Sequence, residues 1–167
     1  MKSAEMKPAE VSTPSDREVQ VKRSFDAPAS LVWRAYTEPD LMRRWLQGPP
    51  GWSMPICEMD TRVGGKYRWQ WRSEEGGQEF GFSGEFLEVA LHSRIVHTQH
   101  FDAGDLNESM GSEPAVVTVT FHEANGITNV TTTIRFASKA DRDAAVSTGM
   151  TDGMEMNYKV LENVLAG

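Results

Sequence analysis

The chain has 167 residues, 24 acidic and 17 basic side chains and a net charge of -7, a length that suits one domain with a real core and no covalent staples. Acidity with interspersed signs excludes a nucleic-acid surface, which needs clustered Lys and Arg to neutralise phosphates. One cysteine, Cys57, excludes an internal disulfide and fits a reducing compartment; no apolar run reaches membrane-spanning length and no signal peptide is readable, so a cytoplasmic protein is expected.

Residues 1–17 are polar, carry Pro8 and Pro14 and lack periodicity, so they read as a disordered tail ahead of one domain over 18–167. Glu18 to Phe25 alternates, with Val19, Val21 and Phe25 on one face: a first strand. Asp26-Ala27-Pro28 starts a helix carrying Leu31, Val32, Ala35 and Tyr36, and Pro39 starts a short second one carrying Leu41, Met42 and Trp45. Gly48-Pro49-Pro50-Gly51-Trp52 is an irregular loop, because two prolines sit between glycines. Trp52 and Met54 leave it as large apolar groups, buried beneath the loop or lining a mouth.

Ile56 to Thr61 reads as a strand, and Val63-Gly64-Gly65 turns the chain into Lys66-Tyr67-Arg68-Trp69-Gln70-Trp71-Arg72. There every ring falls on one face and every polar residue on the other. Ser73 to Gly77 is a hairpin turn, and Glu79 to Val89 returns as a strand in which adjacent Phe86 and Leu87 mean either a bulge or two covered faces. Arg94 to Phe101 is the next strand. The loop from Asp102 to Pro114 is long enough for a mobile flap or for a disordered segment. Val116 to Glu123 and Ile127 to Phe136 form a hairpin around Asn125-Gly126, with Val117, Val119 and Phe121 facing Val130, Ile134 and Phe136.

Ser138 to Leu165 has sustained helical periodicity. Advancing about 100° per residue from Met150 puts Val146, Met154, Leu161, Val164 and Leu165 on one arc, with Tyr158 at its edge and Asn157 inside it. Ser138 can cap the start, Asp141 completing a capping-box pattern. Gly149 and Gly153 mean either that the helix breaks near Gly149 or that something packs close there. A run of hairpin-linked strands with segregated helices is an α+β layout, in which a curved antiparallel sheet wraps one long C-terminal helix and two short helices close the open end.

These elements carry a family resemblance. Phe25-Asp26-Ala27-Pro28 with Val32-Trp33, Glu38-Pro39-Asp40-Leu41 to Trp45, Gly48 to Trp52, Cys57-Glu58-Met59-Asp60 with Val63-Gly64-Gly65, Gly84 before Phe86-Leu87-Glu88-Val89, Arg94-Ile95-Val96, and Gly149-Met150 with Gly153 resemble the bacterial single-domain branch of the START-like superfamily named for activators of the ninety-kilodalton heat-shock chaperone's ATPase. The resemblance implies a helix-grip fold. Its members elsewhere include lipid carriers, secondary-metabolite binders, polyketide cyclases and toxin-sequestering proteins, and its name implies a chaperone partner.

The expected function is binding of a small, largely apolar, aromatic, polyketide-like or lipid-like ligand between sheet and C-terminal helix, without covalent chemistry or cofactor. Tyr67, Trp69 and Trp71 offer rings for stacking, joined by Trp45, Trp52, Met54 and Phe82, with Met150 and Met154 as a flexible wall. Tyr67, Gln99 and Asn157 are the polar contacts, although the alternation of its strand leaves the face of Gln99 open. Cys57 has no base beside it in sequence and reads as a small buried thiol rather than a nucleophile. His92, His97, His100 and His122 lack chelate spacing, and His97 and His100 point to opposite faces, so no metal site is expected. Glu58, Asp60, Glu79 and Glu85 read as solvated strand carboxylates, or as a general base in the alternative of cyclase-like chemistry. The other alternative is a protein-interaction module.

Overall fold

In the computed structural model, which describes residues 6–47, 50–102 and 114–167, the alternating segments become strands of one antiparallel sheet. They are β1 Glu10–Ser12, β2 Glu18–Phe25, β3 Trp52–Met59, β4 Lys66–Ser73, β5 Glu79–Ala90, β6 Arg94–Asp102, β7 Ala115–Ala124 and β8 Ile127–Arg135. Helices α1 Ala29–Thr37 and α2 Pro39–Trp45 follow β2, and α3 Lys139–Ser147 and α4 Met150–Ala166 follow β8. The sheet order is β1-β2-β8-β7-β6-β5-β4-β3, which closes the chain's first long strand against its last and leaves β1 and β3 as edges. This is the α+β helix-grip arrangement, an open curved sheet around a C-terminal helix.

Local chemistry explains where the elements start and stop. Pro28 and Pro39 open α1 and α2, where a missing N–H costs nothing. The Ser138 hydroxyl accepts from the Asp141 N–H at 3.1 Å and caps α3. The long C-terminal helix expected from periodicity is broken into α3 and α4. Gly149 sits at φ +82° with open space around its missing side chain, so the left-handed backbone, and not close packing, ends α3. Val146, which a continuous helix would align with Met150, is therefore exposed.

Two other boundaries differ from the sequence pattern. Residues 10–12, inside the expected tail, pair with β2 through Val11↔Val21, because a main-chain ladder needs no side-chain alternation. The strand expected from Ile56 starts at Trp52, and a bulge between Ser53 and Ile56 takes Pro55 into it. At Phe86 and Leu87 the register shifts, so Phe86 is buried and Leu87 exposed: the bulge. The expected Gly48-Pro49 part of the first loop and most of the Asp102 to Pro114 loop lie outside the described residues.

The inner face of the sheet is read off the register. Val19, Val21, Arg23 and Phe25 of β2 lie beside Ile134, Thr132, Val130 and Thr128 of β8, then Val117, Val119 and Phe121 of β7. Arg23 is a cation on this apolar face, with a side chain 1% exposed. Its Nε donates to Glu155 at 3.0 Å and its Nη1 to Glu162 at 2.5 Å, both carboxylates on α4. Nη1 also donates to the Ser24 carbonyl, and Glu155 in turn accepts from the Ala9 N–H. One buried guanidinium thus joins β2, α4 and the chain ahead of β1. Around it Tyr158 meets Phe25 edge-on at 5.7 Å and stacks on Trp45 at 6.5 Å. Burial there pushes the Tyr158 hydroxyl up to about 12.

A second buried polar group links β4 to β6. His97 is 5% exposed, and its Nδ1 lies 3.0 Å from the Thr98 carbonyl and 2.9 Å from the Tyr67 hydroxyl. A carbonyl only accepts, so Nδ1 carries the proton. The Tyr67 hydroxyl donates to the same carbonyl at 2.5 Å. Gly84 makes room for this: a Cβ there would stand 2.8 Å from the Tyr67 ring and 2.0 Å from the Thr98 oxygen. Burial lowers the His97 pKa from 6.5 to about 4, the Thr98 bond opposing it only in part.

Two stability predictions result. Arg23→Met strands two carboxylates and is expected to cost about 3 kcal/mol in urea unfolding, since breaking a buried pair is expensive. The triple change Arg23→Met, Glu155→Leu, Glu162→Leu is expected to recover most of it. For His97 the unfolded ring takes up its proton near pH 6.5 while the folded ring stays neutral to about 4. Stability is therefore full above 6.5 and falls by about 3 kcal/mol as pH drops to 4. His97→Asn keeps a donor and removes the titration, so the difference between the two pH profiles measures the effect.

Candidate functional site

The other half of the inner face, β3 to β6, is paved with rings. Trp69 pairs across to Phe82, and Phe82 to Phe101, while Trp71 pairs to Phe80. Trp71 stacks on Phe80 at 5.2 Å and 20°, Trp52 meets Phe80 edge-on at 5.2 Å, and Phe82 meets Phe101 at 5.6 Å. Tyr67 and Trp69 continue the floor at 4.4 Å. These rings come together because period-two alternation puts one residue in two on this face of each strand.

The floor is only partly roofed. The α4 backbone lies closest to α2, α3, α1 and β2, on the side of Arg23. Met150 and Met154 of α4 are half-buried side chains packed on the core. Trp52, Trp69, Phe80 and Phe82 are half-buried and Phe101 is 42% exposed, in contrast to the fully packed rings beneath α1 and α2. The ring face of β3 to β6 is thus less completely buried than the inner face around Arg23.

The residues singled out from sequence divide into two groups. Trp45, Met54, Tyr67 and Trp71 are buried. Trp45 donates to the Ala35 carbonyl at 2.9 Å and packs on Tyr36, and Trp71 donates to the Leu46 carbonyl at 2.7 Å, so these rings anchor α1 and α2 and their polar handles are spent. Tyr67 is spent on Thr98 in the same way. Trp52, Trp69, Phe82, Gln99, Met150, Met154 and Asn157 are half-buried and have surface to offer. Gln99 shares the inner face with His97 and Phe101, which settles its direction. Neither Gln99 nor Asn157 makes a side-chain hydrogen bond to another described residue. The Trp69 indole N–H is buried and has no acceptor among them either.

Phe80 and Phe101 belong to the same floor and were not singled out from sequence, though both follow from pairing with Trp71 and Phe82. Burial raises the Cys57 thiol pKa, with Arg43 opposing, which suits an inert thiol. Glu58, Glu79 and Glu85 pair with Arg68, Arg72 and Lys66 on the outer face, and Asp60 is exposed beside Arg62. The described residues hold no cluster of three or more metal-ligating side chains. A depression of about 540 Å³ does exist on the outer face, between Glu58, Arg68, Glu85 and His100, but it is open and lined by both signs of charge.

Among the described residues no helix is long and apolar enough to cross a membrane. A protein of known structure from Rhodobacter sphaeroides is 26% identical, with a TM-score of 0.86 over 96% of this chain and 99% of that one. One from Nitrosomonas europaea is 25% identical, with a TM-score of 0.76 over 90% and 95%. A third, from Mycobacterium smegmatis, shares the fold at 21% identity and a TM-score of 0.82, over 95% and 97%. No curated protein matches the chain. The family model described as "Activator of Hsp90 ATPase homolog 1-like protein" matches residues 26–166, and the chain therefore belongs to that family, within the START-like superfamily.

Proposed function

We propose that the protein binds a small, largely apolar, planar molecule, aromatic, polyketide-like or lipid-like, in the cleft between β3–β6 and α4, and does no covalent chemistry on it. The observation that carries this reading is the half-buried ring face of β3 to β6, with Trp52, Trp69, Phe80 and Phe82 half-buried and Phe101 exposed. Trp69, Phe82 and Phe101 form one continuous rung of rings across three strands, and leaving such area partly in water forgoes stability that packing would recover. A planar ligand recovers it on binding. The two methionines adapt to its outline, and Gln99 and Asn157 orient it.

The cyclase alternative needs a buried carboxylate or His on the ring face: Glu58, Glu79 and Glu85 face the other way, and His97, which does face it, has its Nδ1 proton held between the Thr98 carbonyl and the Tyr67 hydroxyl. A chaperone-docking role of the kind in the family's name calls for a continuous apolar patch. Among the described residues the exposed large apolar groups instead sit on several elements: Val11 on β1, Val63 in the β3–β4 turn, Leu87 on β5 and Leu91 after it, Phe101 on β6, Val146 on α3, and Met156 and Val160 on α4.

An amide NMR titration with planar aromatics, sterols and long-chain alcohols is expected to shift Trp52, Trp69, Phe82 and Met150 to Asn157 with saturation. Perturbation confined to Lys66, Arg68 and His100 would move the site to the outer face. Two alanine changes separate floor from anchor. Trp71→Ala is expected to cost about 3 to 5 kcal/mol in stability, as for a packed core aromatic, whereas Trp69→Ala costs less than half of that and abolishes most ligand binding. Equal destabilisation by both would mean that the floor is ordinary core.

A further inference from the structure

We propose that the outward face of α4 is a self-association surface, on which α4 of a second copy of this chain packs antiparallel to give a two-fold dimer. The argument starts from a residue that the single chain does not explain. Gly153 lies inside α4, where glycine is a poor helix former. A side chain there would meet nothing within 4 Å, so no neighbour in this chain calls for its absence. Gly149 is needed for its left-handed backbone, and the space beside it is open as well.

From Gly149 the exposed positions of α4 continue in steps of four, three, four and three: Gly153, Met156, Val160 and Asn163. This is the spacing of a seam that faces another helix. Met156 is 49% exposed and Val160 39%, whereas Tyr158 and Leu161, on the side toward the sheet, are buried. The seam therefore has two apolar side chains in water and two gaps where a side chain would stand.

Self-complementarity selects the occupant. In an antiparallel pair the alternate seam positions of one helix face those of the other. With the two-fold axis level with Met154 and Glu155, Met156 lies over Gly153 of the second copy and Val160 over its Gly149, and symmetry makes each contact twice. Every large side chain meets a glycine. A parallel pair would set Met156 on Met156 and leave glycine facing glycine. The flank agrees with the antiparallel register. Asp152 and Lys159 stand seven residues apart on one flank, both exposed, and neither makes an ion pair with a described residue. The same register brings Asp152 beside Lys159 of the second copy, again twice. The face is small, so the dimer belongs to high protein concentration.

The test is sedimentation equilibrium from micromolar to millimolar concentration, with thermal unfolding of each variant as the control for folding. Wild type is expected to pass from monomer to dimer across that range. Gly153→Gln is expected to raise the unfolding midpoint of the monomer, because glutamine is the better helix former and has room, and to weaken association about tenfold or more by filling the gap for Met156. Asp152→Lys and Lys159→Glu each set like charges together and are expected to weaken association, and the double variant, which restores both pairs with their signs exchanged, is expected to recover it. A protein that stays monomeric throughout overturns the proposal. So does a dimer that Gly153→Gln or the single charge reversals leave intact, because it forms through another face. Single reversals that weaken association with no recovery in the double variant overturn the antiparallel register on which the proposal rests.

Discussion

A buried guanidinium holds this molecule together. Arg23 stands on the apolar face of β2 and is met by two carboxylates one helical stretch apart on α4, so helix and sheet are fixed in rotation as well as in distance. Hydrophobic contact alone is non-directional and would let the helix roll on the sheet. An ion cluster whose alternative is an unpaired buried charge does not permit that. Burial works against the charged form of Arg23, and the carboxylates more than offset it, so its pKa ends above the ordinary value.

Fixing α4 at that side has an architectural consequence. The helix packs beside β2, with Tyr158 and Leu161 buried and Trp45 stacked on Tyr158. The inner face divides into a fully buried part around Arg23 and a half-buried ring face on β3 to β6.

That division also explains what could and could not be read in advance. The strands of the sheet, the hairpin at Asn125-Gly126, the proline-started helices and the Ser138 cap all rest on local chemistry within a few residues, and they are legible. So is the shared face of Tyr67, Trp69 and Trp71. Arg23 is not, because a cation in an alternating strand looks like a lapse in pattern until its partners, 132 and 139 positions away, are known. Which rings have surface to spare is likewise a property of the assembled structure. Trp71 and Trp69 are equivalent in sequence pattern, yet the indole of one reaches the Leu46 carbonyl and that of the other finds no acceptor among the described residues. The break at Gly149 was one of two readings, and the open space around it decides between them.

The free edge at β3 carries one more implication. An open sheet with a bare outer strand is a template on which a second chain can add, and a curved cup of this kind would lose its mouth if it grew. Pro55 withdraws a donor from the middle of that strand, and the irregular spacing between Ser53 and Ile56 spoils the register any newcomer would need. The same bulge that lies beside Trp52 thus works against the addition of a further strand at this edge.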